Sequence, residues 1–116
     1  MKEYVGHEAV FLIPNDKLGE LCGGGVTIEE KIKRFLTQRH GAFRKEAGDI
    51  EGFWKGAYDG VYSKFVVAFV GEDKIPELEE FLEALALKIG NEAIYFRAGV
   101  KSWLLRPEPG KKYKPL

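Results

Sequence analysis

Apolar positions along the chain fall into stretches of different period. Ala9-Val10-Phe11-Leu12-Ile13 is an unbroken run of strand formers stopped by Pro14-Asn15-Asp16. It is too short for a helix and apolar on both faces, which predicts a strand in the middle of a sheet. A loop from Asn15 to Val26 follows. Thr27-Ile28-Glu29-Glu30 then has capping-box order, and Ile28, Ile32, Phe35 and Leu36 recur at helical spacing up to Arg39, His40 and Gly41. These signals predict a helix over Ile28 to His40. Residues 42–52 are polar and read as a loop with a ragged strand start. Phe53 to Tyr58 and Val61 to Val70 read as strands joined by Asp59-Gly60, a dipeptide favoured in type I′ hairpin turns. Within the second of them Phe65, Val67 and Phe69 alternate with Val66, Ala68 and Val70, so neither face is polar. Pro76 in a first helical turn and the stripe Ile75, Leu78, Leu82, Leu85, Ile89, broadened by Phe81, predict a second helix over Lys74 to Ile89. Ala93 to Arg97 alternates as a strand, which Val100 to Leu105 continues after a break or bulge at Gly99.

Length and composition narrow this picture. With 116 residues, 45% hydrophobic and 31% charged, the chain fits one globular domain over residues 1–106 and an extended or mobile tail over 107–116. Eighteen basic residues balance eighteen acidic ones, so the whole molecule has no electrostatic reason to seek nucleic acid or an anionic membrane. A lone Cys22 excludes an internal disulfide and a thiolate zinc cage. The first apolar run is too short for a signal peptide or a membrane span, so the expected location is cytoplasmic.

The order strand, helix, two-strand hairpin, helix, strand is the split β-α-β pattern. On that order the stretch from Glu8 to Leu105 resembles the ferredoxin-like superfamily. The resemblance implies an α+β fold of βαββαβ type, two helices on one face of an antiparallel sheet. It implies no activity, because this fold hosts many. The glycine-rich entry to the first helix, Gly52-Phe53-Trp54 and Ser63-Lys64 are also similar to small uncharacterised bacterial proteins. With right-handed crossovers, the exit of the first strand, the start of the first helix, the Asp59-Gly60 tip and the end of the second helix share one end, here called the top. His7, His40, Gly71 to Asp73 and the exit to the tail lie at the bottom.

This sorting tests the candidate chemistry. Cys22 precedes a helix start but is separated from both histidines by the length of that helix, so it reads as an incidental loop cysteine with no base. His7 and His40 without a closely spaced third ligand give no metal site, and nothing in the sequence calls for a cofactor. Gly23, Gly24 and Gly25 leading into Thr27 could offer backbone N–H groups to a small anionic ligand, with Tyr58, Asp59, Tyr62 and Lys64 of the hairpin adding polar contacts. The ending of a P-loop is absent.

Two helices cover one sheet face only. Large side chains on the other predict a cover, foremost a second copy in a homodimer formed through the sheet face. Lys31, Lys33 and Arg34 on the first helix oppose Glu77, Glu79, Glu80 and Glu83 on the second. That acidic helix, and a sheet lacking an aromatic-basic motif, argue against nucleic acid despite Lys111, Lys112, Tyr113 and Lys114 in the tail. The expected function is therefore a noncatalytic ligand-binding or protein-interaction module dimerising through its sheet. The alternative is a small dimeric α+β enzyme with a cavity at the sheet or subunit interface.

Overall fold

The computed structural model describes residues 1–4 and 6–116, apart from the side chains of 47–49, 69 and 70. The expected alternation through Phe69 and Val70 therefore lies outside the described side chains. The chain forms β1 (His7–Pro14), the short α1 (Asn15–Leu18), α2 (Ile28–Arg39), β2 (Ala42–Trp54), β3 (Ala57–Val70), a 3-10 turn (Glu72–Lys74), α3 (Ile75–Ile89), β4 (Ile94–Ala98) and β5 (Lys101–Leu105). The strands make one sheet in the order β2-β3-β1-β4-β5 with every neighbouring pair antiparallel. The α+β class is as expected, and the doubly apolar β1 is the central strand.

Alternate residues of the central strands, Ala9, Phe11 and Ile13 on β1, Phe65 and Val67 on β3, and Ile94 and Phe96 on β4, share one core cluster with Ile28, Ile32 and Leu36 of α2 and Leu78, Leu82, Leu85 and Ile89 of α3. Both long helices thus lie on the same face of the sheet. Each fully buried aliphatic or aromatic side chain in this layer contributes about 1.5–3 kcal/mol by leaving water. Thr27 caps α2 as its sequence predicts, its Oγ1 accepting from the Glu30 N–H at 3.2 Å. Helix α3 ends on Gly90 in the left-handed conformation, with the Gly90 N–H returned to the last carbonyls.

Four expectations are corrected. Residues 42–52 are not a loop: they are most of β2, an edge strand held in register by β3 from Ala42↔Ala68 onward. Its charged residues suit a strand that has water on one side. The hairpin does not turn at Asp59-Gly60. It turns at Lys55 (φ 51°) and Gly56 (φ 80°), two successive positive values as a type I′ turn needs. Asp59 is instead the extra residue of a bulge, since Gly52 faces Gly60 while Phe53 faces Tyr58. Residues after Gly99 do not prolong β4. Gly99 (φ 61°) is the first central residue of a two-residue turn, and β5 folds back with Ala98 opposite Lys101. The sheet therefore has a fifth strand beyond the expected element order. In consequence the tail leaves from the top end and not the bottom. It runs back across the helices, where Tyr113 donates to Glu83 Oε1 at 2.7 Å and accepts from the Glu108 N–H at 2.9 Å.

At the bottom end His40 closes α2, only 8% exposed, with its ring edge-on to Phe35 at 5.9 Å. Among the described residues neither ring nitrogen has a hydrogen-bond partner. Burial, helped by the charge of Lys74 and opposed by Glu77, lowers its pKa below the ordinary 6.5. The unfolded chain then binds the proton more readily than the folded one, so stability is full above pH 6.5 and falls as pH drops from there toward the lowered folded pKa. Urea midpoints measured between pH 8 and pH 5 should show this loss, and His40→Leu should flatten it. A His40→Leu curve as steep as that of the wild type would assign the slope to other groups.

Candidate functional site

At the top end the predicted site residues separate into two groups. Gly23, Gly24 and Gly25 all have positive φ and open space around their Cα atoms. The loop closes on itself: Cys22 N–H donates to Val26 O at 2.7 Å, Val26 N–H to Gly23 O at 3.2 Å, and Ile28 N–H to Glu20 O at 2.9 Å. The Ile28 and Glu30 amides, two donors an anion would seek at a helix start, thus already have partners. Glu29 and Glu30 add negative charge to the same turn. The Glu29 carboxyl is held below its usual range by Lys33 at 2.7 Å and Lys45 at 2.9 Å. Cys22 is not an incidental loop residue: it is a buried member of the core cluster.

The hairpin residues form the second group, and no hydrogen bond or ion pair among the described residues links them to the glycine loop. Tyr62 donates to Asp59 Oδ2. Burial, followed by that hydrogen bond and by the charges of Asp59 and Asp16, pushes the Tyr62 phenol up to about 12. Beside it, Ser63 donates to Asn15 Oδ1 at 2.6 Å, so the start of α1 is tied to β3. Lys64 pairs with Glu46 at 3.2 Å and lowers the Glu46 carboxyl. Tyr58 is exposed at the hairpin tip with its ring edge-on to Phe53. Asp16, Asn15 and Ser63 were not candidates from sequence. Only the folding of α1 onto β3 brings them here.

The sheet face away from the helices has a clear order. The registers place Arg44, Val66, Val10, Arg97 and Ser102 in one row across all five strands. Val10 and Val66 are 3% and 1% exposed in the single chain. The centre of this face is therefore shielded by the chain's own longer side chains, and it is not the broad bare patch that the outward large residues suggested. Exposure is concentrated toward β5, where Tyr95 and Leu104 face each other. Arg44 lies 3.9 Å from Glu8 and 3.6 Å from Glu46. Arg97 differs: among the described residues no carboxylate pairs with it, and its buried Nε has no hydrogen-bond partner. The Tyr95 and Ser102 hydroxyls, 3.0 Å apart, belong to the strand positions beside it. A guanidinium over apolar side chains, with hydroxyls alongside, is suited to a carboxylate or phosphate. Strand parity puts Arg97 on this face from sequence, but its lack of a partner depends on neighbours that only the fold supplies.

On the helical side a groove of about 490 Å³ runs between α2 and α3. The stacked rings of Phe35 and Phe81 lie along it, and Pro115 and Leu116 of the tail also line it. Arg39 and Glu77 face each other across it at 3.5 Å. No cluster of histidine, cysteine and carboxylate groups among the described residues could hold a metal ion. No described helix is long and apolar enough to cross a membrane.

Fold and site together define a small α+β protein with one helix-covered and one open sheet face. No family model matches the chain, and no curated protein matches it in sequence. Among solved structures, a phage SAM lyase in complex with S-methyl-5'-thioadenosine superposes with a TM-score of 0.50 at 13% identity, covering 92% of this chain and 94% of that chain. At that identity the likeness is one of fold.

Proposed function

We propose that this chain is a small-ligand-binding protein acting as a homodimer, with an anionic group of the ligand held on the open sheet face by Arg97. The observation that carries this reading is the Arg97 guanidinium, whose buried Nε has no hydrogen-bond partner and which no carboxylate pairs among the described residues. A ligand carboxylate accepting from the outer N–H groups of this guanidinium would gain a charge-assisted hydrogen bond with no internal carboxylate to displace among the described residues. In this reading β1-α2-β2-β3-α3-β4 is a ferredoxin-like unit to which β5 is added, and β5 brings Ser102 beside Arg97. The glycine loop at the top is a less favourable anion site, because the Ile28 and Glu30 amides are already bonded within the chain.

The fold likeness suggests the first ligands to try. SAM carries an amino-acid carboxylate, whereas S-methyl-5'-thioadenosine does not. Calorimetric titration should show SAM binding that weakens about tenfold or more in Arg97→Gln, as expected for losing a charge-assisted hydrogen bond of about 1.5–3 kcal/mol. Binding of S-methyl-5'-thioadenosine should be unchanged by the same substitution. Absence of binding by either compound would remove adenosyl ligands from consideration, and equal SAM binding by wild type and Arg97→Gln would remove Arg97. A second reading, a SAM-cleaving enzyme, is favoured by the same likeness over nearly the whole chain. It predicts release of S-methyl-5'-thioadenosine when the protein is incubated with SAM, and binding without release would decide for the noncatalytic module.

A further inference from the structure

The two edges of the sheet are protected very differently. β2 carries Arg44, Lys45, Glu46 and Glu51 and has register shifts between Glu46 and Ile50 and between Gly52 and Phe53. Charges and irregularities of this kind spoil pairing with another chain. β5 pairs without a shift from Ile94↔Leu105 to Ala98↔Lys101, and its one charge, Lys101, is at its first residue. The two-residue turn makes Ala98 and Lys101 a hydrogen-bonded pair. Lys101, Trp103 and Leu105 therefore direct their N–H and C=O groups toward β4, and Ser102 and Leu104 direct theirs outward. Trp103 and Leu104 are each 41% exposed.

We infer that β5 is the edge on which a second copy of this chain pairs, strand against antiparallel strand, about a two-fold axis through Trp103. The occupant follows from the register. With Trp103 opposite itself, Ser102 of each chain meets Leu104 of the other, and all four outward N–H and C=O pairs are matched by one symmetric contact. Each Lys101 falls opposite Leu105 of the other chain, so like charges are kept apart. The facing indoles meet as a close cross-strand aromatic pair. The chain has no net charge to oppose self-association. The contact joins two five-stranded sheets into one and makes the two open faces continuous. It supplies the homodimer with an interface that does not depend on any ligand at Arg97.

Sedimentation equilibrium of the full chain should give about 26 kDa, twice the 13.1 kDa of one copy. Leu104→Lys changes an exposed position, so the fold is kept, and should weaken the dimer at least tenfold. Trp103→Cys tests the register. Directly opposed, non-hydrogen-bonded residues have Cα atoms about 4.5 Å apart, within disulfide range, so mild oxidation should give a covalent dimer. Ser102→Cys should not cross-link, because the same residue of the other copy is offset by two positions, roughly 8 Å away. Cys22, buried, is common to both variants. A wild-type mass of one chain, a dimer unaffected by Leu104→Lys, or cross-linking by Ser102→Cys in preference to Trp103→Cys would each overturn the pairing. None of these outcomes bears on SAM binding by Arg97, so ligand binding and strand pairing fail separately, although a wild-type mass of one chain would also remove the homodimer from the proposed function.

Discussion

Phe11→Ala is expected to lower the free energy of unfolding by about 3–5 kcal/mol, a large part of the roughly 5–15 kcal/mol available to a domain of this size. The effect is large because Phe11 is the middle of a row that the sheet itself locks. Its ring stacks on Phe65 with centroids 5.1 Å apart and an interplanar angle of 7°. Phe65 and Phe96 face it from the two flanking strands, and all three are 0% exposed. Hydrogen-bonded strands on both sides prevent β1 from moving in to fill the space, so the cavity term adds to the lost burial. Phe11→Leu, which keeps most of the volume, should cost less than about 1.5 kcal/mol. Guanidinium unfolding of the three proteins measures both. A loss below about 1 kcal/mol for Phe11→Ala would place the centre of the core elsewhere.

Gly52→Ala is expected to cost about 1–3 kcal/mol by overpacking, although it adds a single methyl group. The ring of Tyr62 lies over Gly52, and a Cβ there would collide with its Cε2. The ring is therefore displaced from its bed on β2 and from Asp59. Tyr62 offers a second measure of the change. Its folded pKa of about 12 exceeds the unfolded value of 10, so its contribution to stability is present below pH 10 and is lost between pH 10 and 12. In the variant, more water around the phenol should bring its ultraviolet titration down toward 10, and the alkaline loss of stability should shrink. An unchanged titration would show that the ring keeps its place and that some other neighbour gives way.

Both substitutions probe features that differ in how openly the sequence declares them. The run from Ala9 to Ile13 and the stripe along α3 are strong signals because burial on one or both faces fixes residue type at each step. Thr27 with Glu30 is equally open, since both partners of the cap are local. β2 is hidden for the opposite reason. As an edge strand it carries three consecutive charges, Arg44, Lys45 and Glu46, and its conformation comes from the ladder to β3, not from its own residues. The turn is hidden by competition: Asp59-Gly60 is the stronger dipeptide, but Lys55-Gly56 fits the register once residues 42–54 are a strand. β5 reads from sequence as a continuation of β4 because a glycine between two apolar segments signals a bulge or a turn equally well. The glycine loop looks open from sequence, and the carbonyl that uses the Ile28 amide is on Glu20, outside the motif. Arg97 appears as an outward strand residue. That its guanidinium has no carboxylate beside it among the described residues follows from Glu8 and Glu46 lying near Arg44 instead.

The pairing of β2 with β3 extends well past the point where β1 stops, at Pro14 opposite Tyr62. Above that level residues 51–61 form a ribbon of two strands with Phe53, Trp54 and Tyr58 all more than half exposed. A two-stranded ribbon is only marginally stable alone in water. Its amide protons should therefore exchange through local opening at a small fraction of the global unfolding free energy, while those of β1 and of β3 from Ser63 onward exchange only when the whole domain opens. The molecule would behave as two cooperative units of unequal strength within one sheet, the weaker one carrying the most exposed aromatic side chains of that sheet.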